Sequence, residues 1–309
     1  MKYKHWLNEW LQYYIQPSNK FRTYKKYKSQ IELHIVPTLG EYELNKLSPL
    51  VLQKFTARLV KYYSPNTVKG IISVVKNSLR KAVILEYVDK EFTGCIIRPK
   101  SKEKNVDCFN LQEQRRIEDY ILKCKDVKLF GIVFCFYTGL RIGELLALKW
   151  KDFELKKGFI TVTKTCIDSW QDGRYVKLLE IPKTKNSNRV IPIPKQIIPK
   201  LNQLKKLKTC DYFINGKSEY GAQIRSYQKT FTRLLKRLNI PHKCFHSLRH
   251  TFATRALESG MDVKTLSELL GHKNSIVTLN CYAHSMMEHK TEMMNRLGKL
   301  FFCSENKST

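Results

Sequence analysis

The chain has 309 residues, of which 42% are hydrophobic and 27% are charged, which is typical of a globular protein and excludes a disordered one. Its 56 Lys and Arg residues against 27 Asp and Glu residues give a formal net charge of +29, which attracts polyanions such as nucleic acid or an anionic membrane surface. No apolar stretch reaches the roughly 18 residues of a membrane-spanning helix. Nucleic acid is therefore the favoured partner, and no membrane is expected.

The basic excess is spread over the whole chain. Residues 1–100 carry 18 basic and 7 acidic residues, a net +11, and the remaining residues carry a net +18. Two basic halves indicate two domains that hold one long polyanion between them. We expect a helical DNA-binding domain over residues 1–98, a polar, basic linker over 99–107, and a second domain over 108–309.

Helical patterning runs through the first domain. Ser48 and Ser64 each precede a proline, the arrangement of an N-cap followed by proline at the first helical position. The apolar residues after Ser64 recur every three to four positions, which predicts a helix with one buried face. Thr23 is expected to cap an earlier helix that ends near Gly40.

The second domain is predicted to be mainly helical with one small antiparallel sheet. Residues 158–194 carry β-forming residues, and Asp172 and Asn186 begin turn sequences between them. Helices are expected over residues 111–124, 128–137 and 142–150, and helical patterning resumes near residue 223 and continues to about residue 300.

Nine cysteines lie between residues 95 and 303 without a CxxC pair. Their odd number and the lack of an apolar signal sequence favour reduced thiols in a cytoplasm. The spacing of paired zinc ligands is missing, so we expect neither a metal site nor a cofactor. Most of the cysteines are expected to be small core residues.

Basic residues ahead of one tyrosine form a set suited to phosphodiester chemistry without a metal. In TGLRIGEL, Arg141 follows a glycine turn that opens a helix, and in HSLRH His246 and Arg249 share one face of a helical turn. In LLGH a helix ends at glycine and presents His272 from a loop, ten residues before Tyr282. Guanidinium and imidazole donors can hold the charge of the transition state, and a tyrosine can form a reversible phosphoester.

These motifs and the stretch PKTKNSNRVIPI resemble the sequence boxes of the tyrosine recombinases, or phage-type integrases, in the same order, and span most of residues 138–284. The resemblance implies a site-specific DNA recombinase with the build of a two-domain C-shaped clamp. A helical core-site-binding domain would join a mixed, mainly helical catalytic domain. It also implies a 3′-phosphotyrosine, strand exchange through a Holliday junction, and a homo-tetramer on two double-stranded recombination sites.

Carried over by position, the resemblance makes Tyr282 the nucleophile. Arg141 and Arg249 would clamp the scissile phosphate. His246 would hydrogen-bond the phosphate, and His272 would add a further donor or position the tyrosine. The base that takes the phenol proton is not assigned by the sequence.

Two further residues, Lys183 and Glu144, take their roles from the same resemblance. Lys183 matches the lysine that protonates the leaving 5′ oxygen, with Lys185 as its near competitor. Glu144 matches an acidic position that supports the site without reacting, and His284 is an accessory candidate. His250 is expected to lie on another helical face from His246 and to be structural.

Two other functions stay open at the level of sequence: a type IB topoisomerase, which relaxes supercoils with similar chemistry, and an inactive DNA-binding regulator. Many integrases of mobile elements carry an additional N-terminal domain that binds arm sites, whereas this chain starts almost directly in the core-binding helices. An accessory directionality factor is a candidate partner. Residues 286–301 carry an apolar stripe on a predicted helix, which packs either on its own domain or on a neighbouring protomer.

Overall fold

Secondary structure begins at once in this chain, with a helix that starts at Tyr3. The computed structural model describes residues 1–89, 93–100, 107–124, 126–171, 174–180, 188–215, 221–272 and 287–302. The chain divides into two units, residues 1–104 and residues 105–309. Within the described ranges, no helix combines the length and the apolar character that a membrane crossing requires.

The first unit is helical. Its helices are α1 (Tyr3–Trp10), α2 (Phe21–Gln30), α3 (Val36–Leu39), α4 (Pro49–Tyr62) and α5 (Pro65–Ile84). One turn of π-helix extends α1 over Leu11–Ile15, and another joins α2 to α3 over Ile31–Ile35. The long helix α5 supplies much of the core, because Val68, Ile71 and Val75 on its apolar face are fully buried.

The two serine caps predicted in this unit are confirmed. The Ser48 side chain accepts a hydrogen bond from the Val51 amide, and the Ser64 side chain accepts one from the Thr67 amide. The prediction for Thr23 is wrong, because α2 begins at Phe21 and places Thr23 inside the helix.

The second unit mixes helices with short strands. Its helices are α6 (Leu111–Lys123), α7 (Val127–Thr138), α8 (Ile142–Ala147), α9 (Ile198–Lys206), α10 (Ile224–Arg237), α11 (His246–Glu258), α12 (Val263–Leu270) and α13 (Met287–Phe302). Its strands are β1 (Phe153–Glu154), β2 (Phe159–Val162), β3 (Thr165–Gln171), β4 (Arg174–Glu180) and β5 (Arg189–Pro192). The mainly helical fold with antiparallel pairing is as predicted, although α9 was not.

The strands form two sheets where the sequence predicted one. Strands β1, β2 and β5 make an antiparallel sheet with β2 in the centre, and β3 and β4 make a separate antiparallel hairpin. In the first sheet Ile160 pairs with Ile191 and Val162 pairs with Arg189. This register places Arg189 at the end of the sheet and on the same strand face as the buried Ile191.

Helix α7 is the centre of the second core, because it is buried along most of its length and packs against α11. The adjoining helix α8 packs closely on β3 through Gly143. A Cβ atom at this position would lie 2.5 Å from Thr165 Oγ1 and 2.7 Å from the carbonyl oxygen of Cys166. Glycine at position 143 therefore fixes α8, and the residues at its start, against the hairpin.

The expectation for the cysteines is wrong for most of those described. Cys135 and Cys166 are buried, but Cys95 and Cys244 are exposed, and the other described cysteines are partly exposed. A cysteine is small enough to lie at a surface as well as in a core, and no periodic pattern around these residues separates the two cases.

Candidate active site

Arg141 lies between two helices whose ends are set by the local sequence. Helix α7 ends at Gly139, which has a φ of 61° in the left-handed region that glycine adopts at little cost. Arg141 is then the N-cap of α8. The Glu144 carboxylate accepts a hydrogen bond from the Arg141 amide at 3.0 Å. Glu144, three residues after Arg141 in the motif, thus caps the first turn of α8.

Glu144 is buried, at 3% exposed, and both of its oxygens bind guanidinium groups. Its Oε1 accepts from Arg141 Nη1 at 2.8 Å and from Arg189 Nη1 at 3.1 Å, and its Oε2 accepts from Arg189 Nη2 at 2.8 Å. Burial alone would raise the pKa of Glu144. The hydrogen bond and charge of Arg189, with the charge of Arg141, outweigh burial and lower that pKa to about 2.

The end of helix α12 provides a set of main-chain acceptors beside this carboxylate. Gly271 ends the helix with a φ of 63°, and the His272 amide donates to the Ser267 carbonyl at 3.0 Å. The last carbonyl oxygens of a helix have no partner within it and carry the negative end of its dipole. They therefore suit cationic donors.

Three guanidinium groups converge on these oxygens. The bonds run from Arg189 Nε to Leu269 O at 2.6 Å, from Arg249 Nη2 to Leu270 O at 2.6 Å, from Arg141 Nη1 to Leu270 O at 3.3 Å, and from Arg141 Nη2 to Gly271 O at 3.4 Å. We call Arg141, Arg189, Arg249 and Glu144 the arginine cluster. It carries three positive charges and one negative charge.

The arginines of the cluster differ in how far they reach the surface. Arg249 is 2% exposed, and its second guanidinium nitrogen donates to the Gly139 carbonyl at 2.9 Å. The side chain of Arg189 is 6% exposed, whereas that of Arg141 is 37% exposed. Arg141 is therefore the most exposed guanidinium group of the cluster.

Two histidines next to the cluster are held in their neutral form. Partial burial, then the charges of His250, Arg249 and Arg141, lower the pKa of His246 to about 4. Burial and the charges of Arg249 and Arg141 likewise lower the pKa of His272 to about 4. A neutral imidazole has both a donor and an acceptor nitrogen, so at pH 7 each can give a hydrogen bond and accept a proton.

The prediction that His250 lies on another helical face from His246 is wrong. The two rings meet edge to face with centroids 4.7 Å apart, because residues four apart on a helix are neighbours. Partial burial and the charge of Arg249 lower the pKa of His250 as well.

The structure thus brings Arg141, Glu144, His246, Arg249 and His272 to one place. Lys183, its competitor Lys185, Tyr282 and His284 lie outside the described residues. Sequence reasoning missed Arg189. The sequence carried one indication of it: Arg189 lies two residues before Ile191, so both point to the same face of the predicted strand. A charged side chain that faces inward requires a partner. In the part of the chain that is described, no three His, Cys, Asp or Glu side chains are grouped to hold a metal ion.

The sequence matches two family models. The model of the phage integrase family matches residues 109–289, more than half of the chain, and that of the phage integrase N-terminal SAM-like domain matches residues 2–60. The chain belongs to the phage integrase family of tyrosine recombinases. As a member of that family it is a site-specific recombinase, an enzyme that cleaves and rejoins DNA.

Individual relatives of this tyrosine recombinase span nearly the whole chain. A tyrosine recombinase XerC-like protein from Caldanaerobacter subterraneus subsp. tengcongensis is 32% identical over 96% of this chain and 82% of its own. The integrase of Staphylococcus phage L54a is 26% identical over 96% of this chain and 92% of its own.

Two solved structures share the fold. The Tn1549 transposon integrase in complex with transposon right end DNA has a TM-score of 0.81 at 21% identity and covers 96% of this chain and 100% of its own. A lambda integrase tetramer bound to a Holliday junction has a TM-score of 0.68 at 18% identity and covers 89% of this chain and 78% of its own.

Proposed function

We propose that this recombinase exchanges strands between two double-stranded DNA sites through a covalent bond from Tyr282 to a 3′-phosphate. The observation that carries the proposal is the convergence of Arg141, Arg249, His246 and His272, in a chain whose family does this chemistry. Two arginines and two neutral histidines supply donors to a phosphate whose transition state gathers negative charge. No metal is needed for that role.

The reaction consists of two transesterification steps. The Tyr282 Oη attacks the scissile phosphorus while the bond from phosphorus to the 5′ oxygen breaks. Lys183, or its competitor Lys185, gives a proton to that oxygen. The phenol proton passes to a neutral imidazole of His246 or His272, whose depressed pKa keeps an acceptor nitrogen available at pH 7. A 5′-hydroxyl from the partner site then attacks the phosphorus while the bond to Tyr282 Oη breaks, which joins the new strand. The lysine takes the proton of that hydroxyl, and the imidazole returns a proton to the phenol.

The remaining assignments extend this proposal to the partners. Residues 1–98 form the core-site DNA-binding domain, 99–107 the linker and 108–309 the catalytic domain. The enzyme works as a homo-tetramer on two duplexes that passes through a Holliday junction, the state named for the lambda integrase neighbour. We place it in the bacterial cytoplasm, with an accessory directionality factor as a further partner and His284 as an accessory to the site.

Helix α13 bears on the assembly. Its Met294 and Leu297 are 65% and 42% exposed, so part of the predicted apolar stripe is exposed to solvent on this protomer. That exposure favours docking on a neighbouring protomer over packing within the same chain.

A covalent-capture experiment tests the proposal and also finds the DNA site. The protein is incubated in EDTA with nicked duplexes of randomised sequence, and DNA that stays attached after denaturation is sequenced. We expect an enriched site and a peptide adduct at Tyr282, with no adduct from Tyr282→Phe. An adduct that forms on the Phe variant, or cleavage that depends on a divalent metal, would refute the mechanism.

The same site separates recombinase from topoisomerase. Two captured sites on one plasmid should recombine, whereas relaxation of a plasmid with a single site, without recombination of two, would favour the topoisomerase. Binding without cleavage would favour a regulator.

A further inference from the structure

Arg189 is a buried arginine that joins three elements of the second unit. It opens strand β5, its Nη1 and Nη2 donate to the two oxygens of Glu144 on α8, and its Nε donates to Leu269 O at the end of α12. Its side chain is only 6% exposed. A buried guanidinium group needs such complete pairing to offset its lost hydration.

The contacts of Arg189 decide where Glu144 can point. A carboxylate that receives a planar guanidinium fork is held in one orientation, because both hydrogen bonds must stay parallel. Glu144 in turn holds Arg141 at two atoms, the amide nitrogen at 3.0 Å and Nη1 at 2.8 Å. Arg189 is thus linked to the exposed arginine of the cluster through a single shared carboxylate.

We propose that Arg189 is a positioning residue that sets the direction of the Arg141 guanidinium toward the scissile phosphate. It acts through Glu144 and the Leu269 carbonyl, and it does not bind the phosphate itself. The inference rests on the proposed function, since it names a residue that makes the Arg141 contact productive.

The main alternative is that Arg189 is a third phosphate ligand. The geometry opposes it, because Nη1 and Nη2 of Arg189 both donate to the Glu144 carboxylate, which already neutralises the guanidinium charge. The corresponding atoms of Arg249 donate instead to the uncharged carbonyl groups of Gly139 and Leu270. A phosphate ligand would change the affinity for DNA. A positioning residue changes the rate of cleavage at saturation.

The test uses the full chain with the variants Arg189→Met, Arg189→Lys and Glu144→Gln, and with Arg255→Met as a matched control. Arg255 also pairs with a glutamate, Glu258, at 2.6 Å, but outside the cluster. Unfolding temperatures are measured first, and cleavage is compared well below the lowest of them. Single-turnover cleavage of the captured site and its Kd are then measured separately.

We expect Arg189→Met to lower the cleavage rate at saturation by about 100-fold and to change the Kd by less than about threefold, because small misplacements of a positioned group cost this much. Arg189→Lys should recover part of the rate but stay about tenfold below wild type, since one ammonium group keeps the charge but cannot fill the fork. Glu144→Gln added to Arg189→Met should cost less than about threefold more, because both act on the same link. Arg255→Met should cleave like wild type.

A rate within about threefold of wild type in folded Arg189→Lys and Arg189→Met would overturn the proposal, as would a fall in affinity that accounts for the whole loss of rate. If Arg189→Met does not fold, Arg189→Lys alone decides between these outcomes.

A measurement without DNA keeps this inference separate from the proposed function. The Nε–H signal of Arg141, identified by its loss in Arg141→Lys, should report an ordered side chain in the wild type and a mobile one in Arg189→Lys. An equally ordered signal in both would overturn the positioning role even where cleavage is absent. A missing Tyr282 adduct in the wild type, with the expected change in this signal, would instead refute only the proposed function.

Discussion

Arg141 and Arg249 come from different helices and share one acceptor, the carbonyl oxygen of Leu270, at 3.3 Å and 2.6 Å. This oxygen belongs to the end of a third helix, α12, which brings the two arginines together although they lie far apart in the sequence. Two guanidinium groups that would repel each other are held together by an oxygen at the negative end of a helix dipole. The arginine cluster is therefore arranged before DNA binds.

This arrangement predicts that the turn at Gly271 controls the site. Gly271→Ala forces a Cβ atom into a backbone with a φ of 63°, and we expect a loss of about 1–2 kcal/mol in the free energy of unfolding. The cleavage rate should fall further than this loss explains, because the carbonyl oxygens that hold the arginines move. Gly260→Ala is the control, since Gly260 has a φ of 88° in an open position away from the cluster. Equal cleavage rates in the two variants would contradict the prediction.

The burial of Glu144 predicts a specific dependence of stability on pH. Its pKa of about 2 lies below its ordinary value of 4.5, so its contribution is present above pH 4.5 and lost as the pH falls toward 2. Glu144→Gln should remove up to about 3 kcal/mol of that pH dependence in urea unfolding. Glu258→Gln, which removes a carboxylate from a surface ion pair outside the cluster, is the control. Parallel curves for wild type and Glu144→Gln would count against the ion pairs.

The two neutral histidines predict a second signature in solution. In DNA-free protein, His246 and His272 should titrate near pH 4 by NMR of the imidazole carbons, with assignments from His246→Asn and His272→Asn. The unfolded chain binds more protons than the folded one between pH 4 and 6.5, so these residues destabilise the protein as the pH falls through that window. Vanadate or a DNA phosphate should raise both pKa values by its negative charge. Titration near pH 6.5 in free protein would show that burial and the nearby arginines do not lower these pKa values.

The contact of α8 with the hairpin predicts the effect of a single methyl group. Gly143→Ala places a Cβ atom 2.5 Å from Thr165 Oγ1, and relief of this overlap should cost about 1–3 kcal/mol in unfolding free energy. The start of α8 should shift and displace Arg141, which should lower the cleavage rate. Gly94→Ala, where no atom lies within 4 Å, serves as the control in thermal and cleavage assays. An unchanged unfolding temperature in Gly143→Ala would mean that α8 and the hairpin can separate at little cost.

Local signals predicted the helices of the first unit and the turns of the site well. Ser48 and Ser64 act within three residues of themselves, and Gly139 and Gly271 set the backbone where they stand. Contacts that depend on residue spacing along a helix, or on residues distant in the sequence, were harder to predict. The neighbour relation of His250 follows from a spacing of four, and was misjudged.

Arg189 illustrates the limit of local reasoning more clearly. Its carboxylate partner lies 45 residues earlier, and its carbonyl partner 80 residues later. Only the folded chain brings these atoms together, so no window of sequence contains the reason for this arginine. The roles of Lys183 and Tyr282 stay predictions from sequence.

The oxygens that hold the three arginines belong to the main chain, and this has a consequence for mutational tolerance. Any amino acid at positions 269 and 270 supplies the same carbonyl group, so the hydrogen-bond acceptor does not depend on which side chain stands there. The sequence determines instead where helix α12 ends, and this end depends on Gly271. Substitutions that keep the packing of Leu269 and Leu270 should therefore be tolerated in a library selected for recombination, while position 271 should accept almost nothing but glycine.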